Sequence, residues 1–342
     1  VDLTVTYAYT SPCQLYTHTK KVRKYIMAHM VETMAYAGET PWHGLGTNVP
    51  ADLGPLQMMQ KAGCDWSVSK QQMYVLDGVP VTGKKALVRD QDNTVLDIVG
   101  DDWNPVQNED AFQFFHEYCM AGDMEMQTAG SLDNGRNVWV LAKVKESFSI
   151  LGDDQIDSYL LFSNPHKYGK AIDVRFTPIR VVCNNTLTMS LNADSKNQVK
   201  LNHRTVFDAD MVKQTLGIAH DKFEKYKEVA EFLSSKRYTP ESLVNYYNEV
   251  FPHTYVGSKG KNVDKFEDLT KNAKAAHEVL FTQPGAEKGE GTFWQAFNSV
   301  TFMTDHLMGR SAESRLNSAW FGANQTRKVK ALQKAVEFAE AA

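Results

Sequence analysis

The sequence lacks the short motifs that mark the common enzyme and nucleotide-binding classes. GxGxxG, GxxxxGK[ST], GxSxG and HExxH are all absent, so dinucleotide-binding, P-loop, hydrolase and zinc-protease functions lose their usual support. No apolar run reaches the roughly 20 residues that a transmembrane helix needs. Neither charge sign dominates, since 37 Lys and Arg stand against 41 Asp and Glu, a net charge of −4. That balance excludes a uniformly basic nucleic-acid coat.

Cysteine is scarce and scattered. The four cysteines, Cys13, Cys64, Cys119 and Cys183, lie far apart, with no CxxC pair and no Cys/His spacing of a zinc site. This pattern is typical of a reducing compartment, so the sequence predicts a cytoplasmic protein without a disulfide framework. It predicts no metal, no cofactor and no membrane association.

The remaining composition is that of an ordinary globular protein of 342 residues, with 42% hydrophobic and 23% charged residues. Residues 1–35 are rich in Thr and Tyr and lack a clear hydrophobic period, which predicts a disordered leader or a translated upstream stretch. The basic run at 20–24 has no apolar segment after it, unlike a signal peptide. We expect an α+β domain over residues 36–210 and a helical region over residues 211–342, packed on that domain.

Hydrophobic periodicity supports this division. Apolar runs at 86–89 and 94–99 around a polar turn predict a hairpin, and a long strand at 172–183 is interrupted by Pro178, as at a bulge or a sheet edge. A helix is expected from Asn108, its cap, to residue 122. Apolar steps of three and four predict a further long helix at 212–233. The fold class is therefore α+β, with a strand-rich first half forming an antiparallel or mixed sheet and a mostly helical second half.

The most basic stretch lies between residues 164 and 204. It carries seven cations against Asp173 and Asp194, a local net charge of +5. The cations are Lys167, Lys170, Arg175, Arg180, Lys196, Lys200 and Arg204. If Ile172 and Val174 face the core, the period of two puts Arg175 on the outer face. Such a surface could track a phosphodiester backbone, or it could be a solvated face that pairs with acids elsewhere.

Uncharged residues of the same stretch add to the hypothesis. Tyr168 and His203 are candidates for stacking on bases. Asn184, Asn185 and Thr186 either contact phosphate or cap a helix at 186–191.

Other polar groups have two interpretations each. Trp42, His43, Gly44 and Gly46 could line a ligand site, or they could anchor a loop against the core. Cys183 and His203 could form a thiol–imidazole pair, although a cysteine in an apolar run is usually inert and buried. Asp305 and His306, on a late helix, could bind a metal or pair with other charges.

In order along the chain, several segments resemble a known family. They are PWHGLG at 41–46, PVQNE at 105–109, AGSL at 129–132 with GR at 135–136, TPIRVVCNNTL at 177–187, HR at 203–204, and a late helix with Trp294, Asn298, Asp305 and His306. The family is that of phage/plasmid-like proteins built on a domain of unknown function, the domain of unknown function 932 type, and the resemblance covers residues 36–339. It implies origin in a mobile element of a bacterial host and supplies no activity. Where relatives carry a His-Asp-Gly-type segment, this chain has HKYG at 166–169, which weighs against a metal role for that turn.

Three functions remain open. The first is a non-enzymatic protein of phage or plasmid DNA replication and recombination, which binds or anneals single-stranded DNA and could assemble into a homo-oligomer. The second is a structural or host-interaction oligomer that associates through the helix at 212–233. The third is an enzyme acting on nucleic acid or a nucleotide, with a site built from His43, Cys183, Asn185, His203 and His306. The absence of motifs favours a protein that is not an enzyme.

Overall fold

A computed structural model describes residues 31–38, 45–180, 185–186, 198–217, 220–254, 263 and 265–342 of the chain. The strands are β1 (Val31–Ala37), β2 (Thr47–Val49), β3 (Val68–Tyr74), β4 (Pro80–Arg89), β5 (Thr94–Gly100), β6 (Met124–Leu132), β7 (Asn137–Ile150), β8 (Asp154–Pro165), β9 (Ile172–Arg180), β10 (Asn185–Thr186) and β11 (Gln198–Leu201). The α-helices are α1 (Pro55–Lys61), α2 (Asn108–Gln113), α3 (His116–Ala121), α4 (Ala209–Gly217), α5 (His220–Ser235), α6 (Pro240–Val250), α7 (Lys271–Glu278), α8 (Phe293–Phe302), α9 (Ala312–Phe321) and α10 (Ala323–Glu340). A π-helical turn, Met303–Leu307, follows α8.

The element order confirms the predicted α+β class with a mixed sheet and a helical second half. Seven strands of the main sheet follow the order β10-β9-β8-β7-β6-β1-β2, and β11 also pairs with β9. β1 and β2 are parallel, whereas the other pairs of this sheet are antiparallel. β3, β4 and β5 form a second, antiparallel sheet. The first strand begins at Val31, so residues 31–35 belong to the sheet and not to the expected leader.

Both faces of the main sheet are covered. One face packs against the second sheet and α1 to α4 through side chains such as Val140 and Phe162. The opposite face contributes Trp139 and Leu161 to a cluster with Trp320 of α9. Because side chains alternate between faces along a strand, a central strand of this sheet has few positions left for solvent. This coverage decides which charged residues are available to a partner.

The helical half has its own core, and it uses the second part of the apolar stripe that the sequence predicted at 212–233, whereas Val212 is buried in the core beside the main sheet. The structure divides that segment into α4 and α5, and residues 218–219 lie outside the described part. Phe223, Tyr226, Ala230 and Leu233 of α5 are buried in this core together with Phe148 of β7. The described part of the stripe on α5 is therefore enclosed by its own chain. None of the described helices is long and apolar enough to span a bilayer.

The helix expected at 108–122 is interrupted. α2 ends before Phe114 and α3 begins after Phe115, and both rings lie against Phe162 of β8. Gln107, not Asn108, occupies the capping position. The side chain of Asn108 is instead fully buried, for a reason that becomes clear at the site.

Pro178 lies at a gap on the outer edge of β9. β11 covers that edge from Ile172 to Arg175, and β10 covers Ile179 and Arg180. Pro178 falls between these two partners, and none of the described strands pairs with it on that edge, a position that tolerates a residue without an N–H. This confirms the edge interpretation. Thr186 is part of β10, which contradicts a helix beginning there, and residues 187–191 lie outside the described part.

Candidate nucleic-acid interface

The turn between β8 and β9 presents an aromatic ring to solvent. Gly169 has φ of 73°, a left-handed conformation that glycine adopts without strain. The N–H of Lys170 donates to the carbonyl of Lys167 across the turn, at 3.3 Å. The N–H of Tyr168 donates to Asp97 Oδ2 of β5 at 2.9 Å, which ties the turn to the second sheet. The main chain at Tyr168 is consequently held in place, and the residue is 61% exposed.

A cation from another strand lies over this ring. Lys84 Nζ of β4 is 5.6 Å from the centroid of Tyr168, within the range of a cation–π interaction. Lys84 is itself exposed. Sequence reasoning missed this residue, whose only local signal is the dibasic pair that it forms with Lys85. An exposed aromatic ring with an ammonium over one face can receive a base on its other face, and the ammonium can contact a phosphate.

Further cations surround the turn, and with it they form what we call the exposed strip. Its members are Lys84, Lys167, Tyr168, Lys170, Lys200 and Arg204. The pairing of β11 with β9 sets Leu201 opposite Ile172 and Lys200 opposite Asp173, which brings Lys200 and Arg204 to the end of the sheet where the turn lies, with Lys200 on the face of Asp173. Lys167 pairs with Asp133 at 3.3 Å and Arg204 with Asp102 at 3.2 Å. Within the described part of the chain, no ion pair engages the other three lysines of the strip.

Arg175 does not belong to this surface, contrary to the prediction. It does lie on the face opposite Ile172, but that face is covered by α9. Its guanidinium pairs with Asp173 at 3.2 Å, donates to the carbonyl of Trp320, and lies 5.8 Å from the ring centroid of Phe321. The side chain is only 13% exposed. Arg175 therefore attaches α9 to the sheet and cannot reach a phosphodiester backbone.

The prediction that His203 stacks on a nucleic-acid base is also wrong. It is 3% exposed, and its ring stacks on Trp103 with 4.1 Å between centroids. Its Nδ1 lies 3.2 Å from the carbonyl of Asn104, which accepts the proton of that nitrogen. Burial lowers the pKa of His203 below its usual value. The ring packs inside the protein and is not free to stack on a base.

A second buried histidine, His166, anchors the turn from below. The Asn108 amide donates to the carbonyls of Cys64 and Trp66 at 3.0 and 3.1 Å, which leaves its oxygen to accept. His166 Nε2 lies 2.8 Å from that oxygen and therefore carries the proton. The His166 N–H of the backbone donates to the carbonyl of Arg136. Desolvation lowers the pKa of His166 to about 3, so the ring is neutral at physiological pH.

Sequence reasoning missed this network because each residue has an unremarkable neighbourhood in the chain. The signal was present in the resemblance, since PVQNE at 105–109 and HR at 203–204 are segments that the structure brings next to the turn. Asn164 extends the link by donating to the carbonyl of Val106 at 2.9 Å. The network positions the strip, and burial lowers the pKa of both of its histidines.

Several predicted residues lie where less can be described. Arg180, Asn185 and Thr186 are described only as paired backbone of β9 and β10. Asn184 and Lys196 lie outside the described residues, as do Trp42, His43 and Gly44 of the predicted ligand loop. Gly46 is described: its φ is 98°, and a Cβ there would lie 2.9 Å from Met34 Cγ. This glycine is required by close packing on β1.

The residues of the enzymatic hypothesis do not assemble in what the structure describes. His43 and Cys183 lie outside it, and His203 is stacked beneath the turn. His306 stacks on Phe302 in the helical half, with 4.5 Å between ring centroids.

Asp305 pairs with Lys328 at 2.8 Å, and both side chains are buried. Asp305 thus takes the charge-pairing role, and burial lowers the pKa of Lys328 although Asp305 opposes that shift. Among the described residues, no three His, Cys, Asp or Glu side chains are grouped to hold a metal.

The fold and the site define an α+β protein with a mixed sheet, a helical second half and an exposed cationic turn. The chain belongs to the family described as Domain of unknown function (DUF932), whose model matches residues 95–336. The matched region includes the β8–β9 turn, His203, Arg204 and most of the helical half. No curated protein and no solved structure matches the chain.

Proposed function

We propose that this protein binds single-stranded DNA through the exposed strip, as a non-enzymatic accessory of DNA replication or recombination in a phage or plasmid. The observation that carries the proposal is the exposed ring of Tyr168, on a turn tied to Asp97, with the ammonium of Lys84 over it. Stacking of a base on such a ring contributes about 1–3 kcal/mol and does not depend on base identity. The bases of a duplex are already stacked on each other, so the strip favours single strands.

The charges of the strip set the expected strength of binding. Its five cations are offset by Asp97, Asp102 and Asp133, which contact the strip directly. Three members of the strip can neutralise phosphate without first breaking an ion pair with an acidic side chain. They are Lys84, Lys170 and Lys200. Each phosphate of a single strand that a protein cation neutralises contributes about −0.7 to the slope of log affinity against log salt concentration. Three contacts give a slope of about −2.

The test is fluorescence anisotropy with labelled single-stranded and double-stranded oligonucleotides at several salt concentrations. The double variant Lys170→Glu and Lys200→Glu should bind single strands at least tenfold more weakly, with a salt slope smaller by about 1.4. The matched control is Lys61→Glu with Lys271→Glu, which changes the net charge equally at exposed positions outside the strip. Equal loss in both double variants would mean that only net charge matters, and wild-type protein that does not bind at low salt would refute the proposal.

A further inference from the structure

Three buried acceptor atoms beneath the β8–β9 turn lack a donor. Asn164 Oδ1, His166 Nδ1 and His203 Nε2 are each enclosed, and none of them has a hydrogen-bond partner among the residues that the structure describes. Asn164 and His166 are fully buried, and His203 is 3% exposed. Each buried polar atom without a partner costs about 1–3 kcal/mol, so these atoms call for a group that carries positive charge or protons.

The hydrogen bonds of the same side chains fix all three atoms as acceptors. Asn164 Nδ2 donates to the carbonyl of Val106 at 2.9 Å. Turning the amide over would set Oδ1 against that carbonyl, so Oδ1 is the atom without a partner. His166 carries its proton on Nε2 and His203 on Nδ1, each directed at an oxygen. A neutral imidazole has one proton, so the other nitrogen of each ring presents a lone pair.

The three side chains belong to one small region of the molecule. Asn164 and His166 are alternate residues where β8 ends, so their side chains lie on the same face of the sheet. The connection at 104–108 accepts a hydrogen bond from each of the three side chains. The carbonyl of Pro165, which lies between Asn164 and His166, opposes the lowering of the His203 pKa, as an oxygen next to the ring does. The charge of His203 in turn lowers the pKa of His166.

Two neutral imidazoles and an amide oxygen are suitable ligands for a transition-metal ion. Imidazole nitrogen suits Zn²⁺ and the other divalent ions of the first transition row. A histidine that binds a metal donates its other ring N–H to an oxygen, which fixes the tautomer and the orientation of the ring. Both histidines meet this condition, with Asn108 Oδ1 at 2.8 Å from His166 and the carbonyl of Asn104 at 3.2 Å from His203. Burial lowers the pKa of both rings and so favours the neutral form that a metal requires.

A metal ion accounts for these lone pairs better than a water molecule does. A single water has two protons to donate and leaves one of the three acceptors unpaired, whereas a cation attracts all three lone pairs. The carbonyl of Pro165 adds a further oxygen beside His203. Because the third ligand is an amide oxygen, the site lies outside the His, Cys, Asp and Glu groupings, of which the described chain has none.

We propose that Asn164 Oδ1, His166 Nδ1 and His203 Nε2 bind one divalent transition-metal ion of the Zn²⁺ class beneath the exposed strip. The ion joins the end of β8 to the segment after β11, the two parts of the chain that present the strip. The ligands are buried, so the chain takes up the ion as it folds. No side chain of the turn at 167–171 takes part. Cys and His spacing in the sequence does not reveal this site, because only the fold brings its ligands together.

Metal analysis of the full chain tests the site. The protein is unfolded in guanidinium chloride with a chelator, refolded with Zn²⁺ or Co²⁺, and freed of excess metal. Wild-type protein should retain about one ion per chain, and the cobalt form should show the visible absorption of coordinated Co²⁺. His203→Phe keeps a flat ring on Trp103 but removes the ligand nitrogen, so metal affinity should fall by more than about tenfold. His306→Phe is the matched control, because His306 also stacks on an aromatic ring.

A second measurement does not depend on the folding of any variant. In NMR spectra of the wild-type protein, Co²⁺ should broaden the side-chain signals of His166 and His203 more than those of the other histidines. Circular dichroism confirms that each protein is folded. Folded wild-type protein that retains neither ion overturns the proposal, and water then satisfies the three acceptors. Equal retention by wild type and folded His203→Phe, or broadening centred on other histidines, also overturns it, because the ion is then bound elsewhere.

Discussion

The β8–β9 turn and the first half of β9 have similar charges and opposite surroundings. Lys167 and Lys170 of the turn project into solvent around Tyr168. Arg175, five residues after Lys170, is enclosed by α9, an element that lies far along the chain. Whether a cation of this protein is exposed to a binding partner therefore depends on which elements from distant parts of the sequence pack against it. Local charge density alone would have assigned all three residues to one surface.

The largest effect that we expect concerns the enclosed member of this comparison. Arg175→Ala removes one partner of a largely buried carboxylate, Asp173, and a donor to the carbonyl of Trp320. Breaking such a pair costs about 3 kcal/mol in the free energy of unfolding. Urea denaturation followed by circular dichroism measures this loss, with Lys170→Ala as the control. An Arg175→Ala protein of wild-type stability that no longer binds DNA would place Arg175 on the open surface after all.

The next effect concerns the support beneath the turn. Asn108→Ala leaves the carbonyls of Cys64 and Trp66 and the Nε2 proton of His166 without a partner. We expect a loss of about 2 kcal/mol in stability. Hydrogen exchange should also become faster in the turn at 167–171, because His166 directly precedes it.

The exposed Asn272→Ala in α7 serves as the control for that substitution. Faster exchange spread over the whole chain, with no excess in the turn, would contradict a local supporting role for Asn108.

The buried histidines predict a dependence of stability on pH. His166 has a folded-state pKa of about 3, against about 6.5 when unfolded, so only the unfolded chain takes up the proton between these values. The free energy of unfolding is therefore highest above pH 6.5, and it falls by up to about 1.4 kcal/mol per pH unit as the pH is lowered below that value. His203, whose pKa is also lowered, acts in the same direction.

Urea denaturation between pH 7 and pH 5 isolates this effect, because most carboxylates titrate below that window. A His166→Gln variant should show a shallower slope. Stability that is level over the same window would mean that His166 takes up its proton in the folded protein.

The smallest effect concerns the open member of the comparison. Lys167→Ala breaks a solvent-exposed pair with Asp133 and should change stability by less than about 0.5 kcal/mol. Its effect on DNA affinity should still be measurable by anisotropy, at about twofold to threefold. A stability loss near that of Arg175→Ala would show that the turn is as enclosed as β9.

Periodicity and capping chemistry were sufficient for much of the fold. The apolar runs at 86–89 and 94–99 predicted a hairpin, and β4 and β5 form it as an antiparallel pair. At the start of α6 the hydroxyl of Thr239 accepts from the N–H of Ser242 at 3.1 Å, the capping contact that Thr before Pro favours. Such signals are short-range, because they depend on neighbours within one or two turns of the chain. The class and the division into two halves follow from them.

The covering of β9 and the burial of His203 could not be predicted in the same way. Arg175 and Trp320 are 145 residues apart, and the stacking of His203 on Trp103 joins segments that no local pattern relates. Period two correctly separated the two faces of β9, but it carries no information on whether a face is covered. The prediction of exposed Tyr168 and Lys170 succeeded because a tight turn between strands usually lies at the surface.

The pairing of β1 with β6 shows which residues a folded fragment of this chain must contain. β1 pairs with β6 from Val31 to Tyr36, and β1 lies outside the region that the family model matches. A fragment limited to residues 95–336 would lose β1 and expose the edge of β6, and β5 would lose β4. Open strand edges pair readily with other chains, so such a fragment would aggregate. The family segment is thus a unit of sequence similarity, whereas the unit that folds includes the strands before it.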